Sequence, residues 1–280
     1  MTNKEKYIEY TEKTFEGKAK EHVLSQIEMF YKDIIIRKNS YNVGEKVFLK
    51  KGTYMHGILG GLDSFDWIIE NGFIGNDFTK ENVQNKIRHS IGMWKIKDDC
   101  LLKDYILKYS GFTVGYSIGR GPGSKEIYEL IPYHKFDEVT EKLNNMKDIW
   151  MYWGDQTKEV RFMPSLVANK NQIAFILNME SDYAKEITRA DVWNTELDEE
   201  TLKPFLDYRY YDKFVTKERF NRSAITTDRE TAIIFGLPSK LIEGVFVGRK
   251  MENDKESLEY IKSKLPDCYI CNLDGIVIKN

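Results

Sequence analysis

The chain has 280 residues, of which 41% are hydrophobic, enough apolar surface to build a sizeable core. Its 42 basic and 44 acidic side chains nearly cancel to a net charge of −2, which argues against a strongly basic nucleic-acid binder. The length is long for one domain and short for two. The expected organisation is an N-terminal helical extension, residues 1–40, packed on an α+β domain, residues 41–280.

The first residues carry no apolar stretch of signal-peptide length, and no window approaches the ~18 apolar residues that cross a bilayer. The expectation is a cytoplasmic protein without a membrane partner, signal-free export remaining open. Three cysteines, Cys100, Cys268 and Cys271, are too few and too odd in number for a disulfide framework. Cys268 and Cys271 form a CxxC without a second pair, so they are read as inert strand cysteines, and no metal is expected.

In chain order, residues 4 to 38 are predicted as helix, with Val23, Ile27, Phe30 and Ile34 near helical spacing. A first strand is predicted around Val47–Leu49. His56-Gly57 lies on a loop or strand end. A short helix over 64–71 follows, with Asp63 as N-cap and Gly72 as its left-handed stop. Residues 80 to 108 are predicted helical from Ile87, Ile91, Trp94 and Leu101. Residues 111–119 and 126–132 alternate as a hairpin around Gly121-Pro122-Gly123. Lys135–Lys147 is a predicted helix, the aromatic run 149–153 core, 172–177 a buried strand and 181–212 acidic and helical or irregular.

Thr227-Asp-Arg-Glu230 reads as a capping box ahead of a short helix over Ala232–Phe235, stopped by Gly236. Strands over 241–247, 269–271 and 275–278 and a helix over 256–264 complete the chain. Helices and largely antiparallel strands without βαβ regularity predict an α+β fold. His22 and His89 are assigned to helix surfaces, and His134 to a cap. The Gly119-Arg-Gly-Pro-Gly123 run fails the spacing of a phosphate loop and reads as a hairpin turn.

Three stretches together resemble the ADP-ribosyltransferases: His56-Gly57 ahead of a helix ending Asn71-Gly72-Phe73; Ala224-Ile-Thr-Thr-Asp-Arg-Glu-Thr-Ala-Ile-Ile-Phe-Gly236; and Glu218-Arg219-Phe220 with Pro238 and Ile242-Glu243-Gly244-Val245. The resemblance covers scattered pieces between about residues 45 and 250. It implies a split, mostly antiparallel sheet with peripheral helices and NAD as substrate. The acceptor would be a protein or nucleic acid. His56 would grip ribose beside Gly57, Tyr116 would stack on nicotinamide with Ser117 near it, and Arg120 would meet the pyrophosphate. The catalytic carboxylate is open between Glu218, Glu243 and Glu159. Cleaving the nicotinamide–ribose bond makes an oxocarbenium-like centre, which a fixed carboxylate stabilises.

One departure is Ile58, which stands where the family has a threonine. It favours a non-catalytic binding or immunity module of the same shape. A related enzyme, the RNA 2′-phosphotransferase, needs a basic cluster that the sequence does not show near His56. The catalytic reading requires His56 and one glutamate to line one cleft.

Overall fold

The structure is a computed structural model, and it describes residues 1–58, 61–79, 89–109, 111–118, 125–132, 149–151, 161–163, 173–190, 197–198, 201, 205, 230–248 and 251–280. Seven α-helices and two principal sheets are seen among them, an α+β arrangement of mostly antiparallel strands.

The chain opens with two helices, α1 (Asn3–Thr14) and α2 (Gly17–Phe30). Thr2 and Glu5 close a reciprocal capping box on α1. The single long helix expected over 4–38 is broken at Gly17, whose φ is +53°, and it ends at Phe30. Beyond it the backbone is an extended strap. Its carbonyls are taken by other segments: Lys32 by the Lys240 ammonium and Arg37 by the Asn178 amide. Ile36 is buried while its neighbour Ile35 is 95% exposed, the alternation of an extended chain.

Next come β1 (Phe48–Leu49), β2 (Tyr54–Ile58), α3 (Gly61–Asn71), β3 (Phe73–Ile74), α4 (Asn76–Thr79), β4 (Ser90–Lys95), β5 (Cys100–Leu101) and α5 (Leu102–Tyr109). Strand β4 and β5 correct the helix expected over 80–108, of which only α5 is helical among the described residues. Ile91 and Trp94 have helical spacing, but pairing with neighbours on both sides decides: Trp94 opposes Met55 and also Glu230. Helix α3 starts at Gly61, so Asp63 lies inside its first turn rather than at its cap. It ends as expected: Gly72 has φ +76° and its N–H bonds Ile68 O at 2.8 Å.

A hairpin of β6 (Gly111–Ile118) and β7 (Lys125–Pro132), joined by β8 (Ile149–Met151) and β9 (Arg161–Met163), forms a separate sheet. The predicted helix over 135–147 lies outside the described residues. Then follow β10 (Ile173–Leu177), α6 (Asp182–Ile187), β11 (Glu230–Ile234), β12 (Gly236–Leu237), β13 (Ile242–Val247), α7 (Lys255–Lys264), β14 (Tyr269–Cys271) and β15 (Val277–Lys279). Strand β11 corrects the helix expected over 232–235: it pairs antiparallel with β4. Four apolar residues in a row suit a buried strand as well as a helix turn. Gly236 is no helix stop. It pairs with Ile74, and a Cβ there would lie 2.0 Å from Phe73 O.

The main sheet runs β11-β4-β2-β10-β13-β14-β15, antiparallel except for the parallel pair β13–β14. It buries both faces. Tyr54, Ile58, Phe175, Leu177, Val245 and Val247 form one face, under α1, α2, α3 and α7. Met55, Ala174, Ile176, Phe246, Tyr269 and Val277 form the other, against Leu102 and Ile106. The N-terminal helices contribute Tyr7, Phe15, Val23, Ile27 and Phe30 to the first of these cores. The Gln26 amide also bonds Ile187 O at 3.0 Å and Gly236 O at 3.1 Å.

Candidate functional site

His56 is the third residue of β2, inside the strand rather than at its end. Its cross-strand partner is Phe175. Paired residues share a face, so the imidazole stands on the helix-covered side. It packs edge-on against Phe73, with centroids 5.3 Å apart at 70°, and Phe73 in turn packs edge-on against Phe175 at 5.3 Å. The Asn-Gly-Phe stretch therefore works structurally: Gly72 turns the chain and Phe73 backs the His56 ring.

His56 Nδ1 lies 3.0 Å from Gly92 O on β4. A carbonyl oxygen only accepts, so Nδ1 carries the hydrogen. Burial pushes the ring's pKa below the ordinary 6.5, against the smaller opposite effect of the Gly92 carbonyl. The neutral ring then presents Nε2 as a lone-pair acceptor. The Gly92 bond is the ring's one hydrogen bond among the described residues. Gly57 pairs with Ala174, and Ile58 is a core residue, 8% exposed.

Glu243 sits on β13, also in the main sheet, and is 6% exposed. The β10–β13 register passes from Ile176–Gly244 directly to Leu177–Ile242, so Glu243 is the extra residue of a bulge. Its Oε2 accepts from Asn39 Nδ2 at 3.0 Å. Burial pushes its pKa above the ordinary 4.5, while bonds from Asn39 and Asn178 pull it down. The carboxylate lines a cavity of about 700 Å³ together with Tyr41, Phe48 and Asn178. Tyr41 packs at 4.8 Å on Tyr269, a residue of the second core. Neither His56 nor its neighbours Phe73 and Gly92 line this cavity.

The remaining candidates are dispersed. Tyr116 and Ser117 lie on β6, in the smaller sheet. Arg120, Glu159, Glu218 and the segment 224–229 lie outside the described residues, as does His134. Neither remaining histidine is a surface residue. His89 precedes β4, is 3% exposed, and its Nε2 lies 2.8 Å from Tyr10 Oη. His22 is half-buried on α2, and burial pushes its pKa down. Cys268 and Cys271 are buried, with their thiols directed at Ile242 O and Val245 O.

Sequence reasoning missed Asn39, Asn178 and Tyr41 as neighbours of Glu243. A carboxylate breaking the apolar run of β13 was the one signal for that location. Gly92, the partner that orients His56, lay hidden in a segment read as helix. Among the described residues, no group of three His, Cys, Asp or Glu side chains is placed to hold a metal ion, and no helix is long and apolar enough to cross a membrane. Comparison with known protein families, curated proteins and solved structures finds no match to this chain.

Proposed function

We propose that the protein is an NAD-dependent mono-ADP-ribosyltransferase acting on a macromolecule, with His56 as the ribose-binding histidine. The observation that carries this reading is the His56–Gly92 hydrogen bond, 3.0 Å long. It holds the imidazole in one tautomer and leaves Nε2 to accept from a ribose hydroxyl. A histidine needed only for packing has no requirement for this tautomer. The resemblance of the surrounding motifs supplies the rest.

Under this reading the nicotinamide–ribose bond breaks and nicotinamide leaves with the bonding pair. An acceptor nucleophile then takes the anomeric carbon. The carboxylate that stabilises the cationic ribose must stand on the His56 side of the sheet. Glu243 lines a cavity that His56 does not, which leaves Glu218 and Glu159, and the reading assigns this role to Glu218.

The test is incubation of the purified protein with labelled NAD and cell extract, scoring label transfer and nicotinamide release. Label on a macromolecule is expected. It should be lost in Glu218→Gln at an unchanged melting temperature, and His56→Ala should weaken NAD binding. Absence of both label and nicotinamide from folded protein overturns the reading. Burial of Ile58 in place of a hydroxyl residue favours one other reading, a non-catalytic binding module, and the same assay separates the two.

A further inference from the structure

The cavity beside Glu243 has its own chemistry. His56 does not line it, and it uses none of the residues assigned to NAD. Its volume, about 700 Å³, is that of a small-ligand site. At its floor a carboxylate is nearly sealed, with Glu243 only 6% exposed. Burying a carboxylate is costly, and a neutral acceptor could serve Asn39 equally well. The bulge adds a second deliberate feature, because an extra residue turns this one side chain out of the ladder and into the cavity.

The walls narrow the ligand class. Asn39 and Asn178 place planar amides next to the carboxylate. Tyr41 and Phe48 add aromatic rings, and the Tyr41 hydroxyl ties them by donating to Phe48 O at 3.2 Å. Phe48 leaves 45% of its surface open. Arg37, Lys38, Lys50 and Glu180 also line the cavity, and of these Lys50 and Glu180 pair with each other.

Carboxylate and amide oxygens suit adjacent hydroxyl donors, and an aromatic ring suits the C–H face of a saturated ring. One class of small molecule carries both features. We propose that this cavity binds a neutral sugar residue, with Glu243 and the two asparagines holding its hydroxyls and Phe48 and Tyr41 covering its apolar face.

Saturation-transfer NMR on the intact protein, without NAD, tests this. The probes are free glucose, galactose, mannose, N-acetylglucosamine and ribose. At least one should receive saturation. That signal should vanish in Phe48→Ala, an exposed change that the fold tolerates, and binding should weaken at least tenfold in Glu243→Gln. It should persist in His56→Ala. Transfer to none of the five sugars, or a signal unchanged in Phe48→Ala, overturns the proposal. So does displacement of the sugar by NAD, since the cavity would then be the nucleotide site. An inactive transferase that still binds a sugar leaves this proposal standing while the functional reading falls.

Discussion

His56 on β2 and Glu243 on β13 lie in one sheet, with strand β10 between them. Glu243 is buried and His56 half-buried, and burial moves their pKa values in opposite directions, His56 down and Glu243 up, so both are driven toward their neutral forms. Their consequences for stability run opposite ways with pH.

The folded state resists protonating His56, whereas the unfolded chain takes the proton at the ordinary 6.5. The stability this contributes is complete above pH 6.5 and is lost as pH falls below it, until the folded ring itself protonates. Thermal melting between pH 5 and about pH 8 should show this slope, and His56→Gln should reduce it. His22, whose ring is shifted the same way, contributes to the part remaining. An unchanged slope in His56→Gln would refute the buried neutral ring.

Glu243 behaves in reverse. The folded state holds its proton more tightly than the unfolded chain, whose carboxyl has the ordinary 4.5. Its contribution is full below pH 4.5 and is lost as pH rises through the raised folded value. The stability of the natural protein relative to Glu243→Gln should therefore decline across that window in denaturant melts. A difference that is flat with pH would mean the carboxyl is not desolvated.

Two glycines should answer to alanine very differently. A Cβ at Gly236 would sit 2.0 Å from the backbone oxygen of Phe73, which cannot step aside. Gly236→Ala should cost at least about 3 kcal/mol. Gly44 has nothing within 4 Å, but its φ is +91°. Gly44→Ala should cost only about 1 kcal/mol from backbone strain. Urea unfolding of the two variants measures both, and equal losses would contradict the close approach of β12 to β3.

The thiols provide a direct check on the CxxC. Cys268 and Cys271 are buried, and burial pushes both thiols up, while Cys100 is partly exposed. A thiol reagent at neutral pH should modify Cys100 alone in folded protein and all three cysteines in denaturant. Rapid reaction of a second thiol would show that the pair is accessible and reactive.

Much of the chain announced itself. The hairpin over 111–132, the buried runs at 173–177 and 242–247, and α7 all follow from local pattern and turn residues. Strands β4 and β11 did not, because Ile91, Trp94 and the run Ala232–Phe235 fit two periods equally, and only their pairing with each other settles which. The site was legible in its parts and not in its assembly. A carboxylate inside an apolar strand is visible in sequence. The cavity it serves is not, because an extra residue in β13 breaks the alternation from which its place would be read.

The placement of α1 and α2 also bears on how the chain is made. These helices leave the ribosome well before the strands that cover them, for Phe30 rests on Phe235, and Gln26 bonds Gly236. Roughly two hundred residues of synthesis separate the two sides, some ten seconds or more at ordinary elongation rates. Through that interval Tyr7, Val23 and Ile27 have no sheet to rest on. A nascent chain of this protein must carry an apolar helix pair that is finished early and covered late.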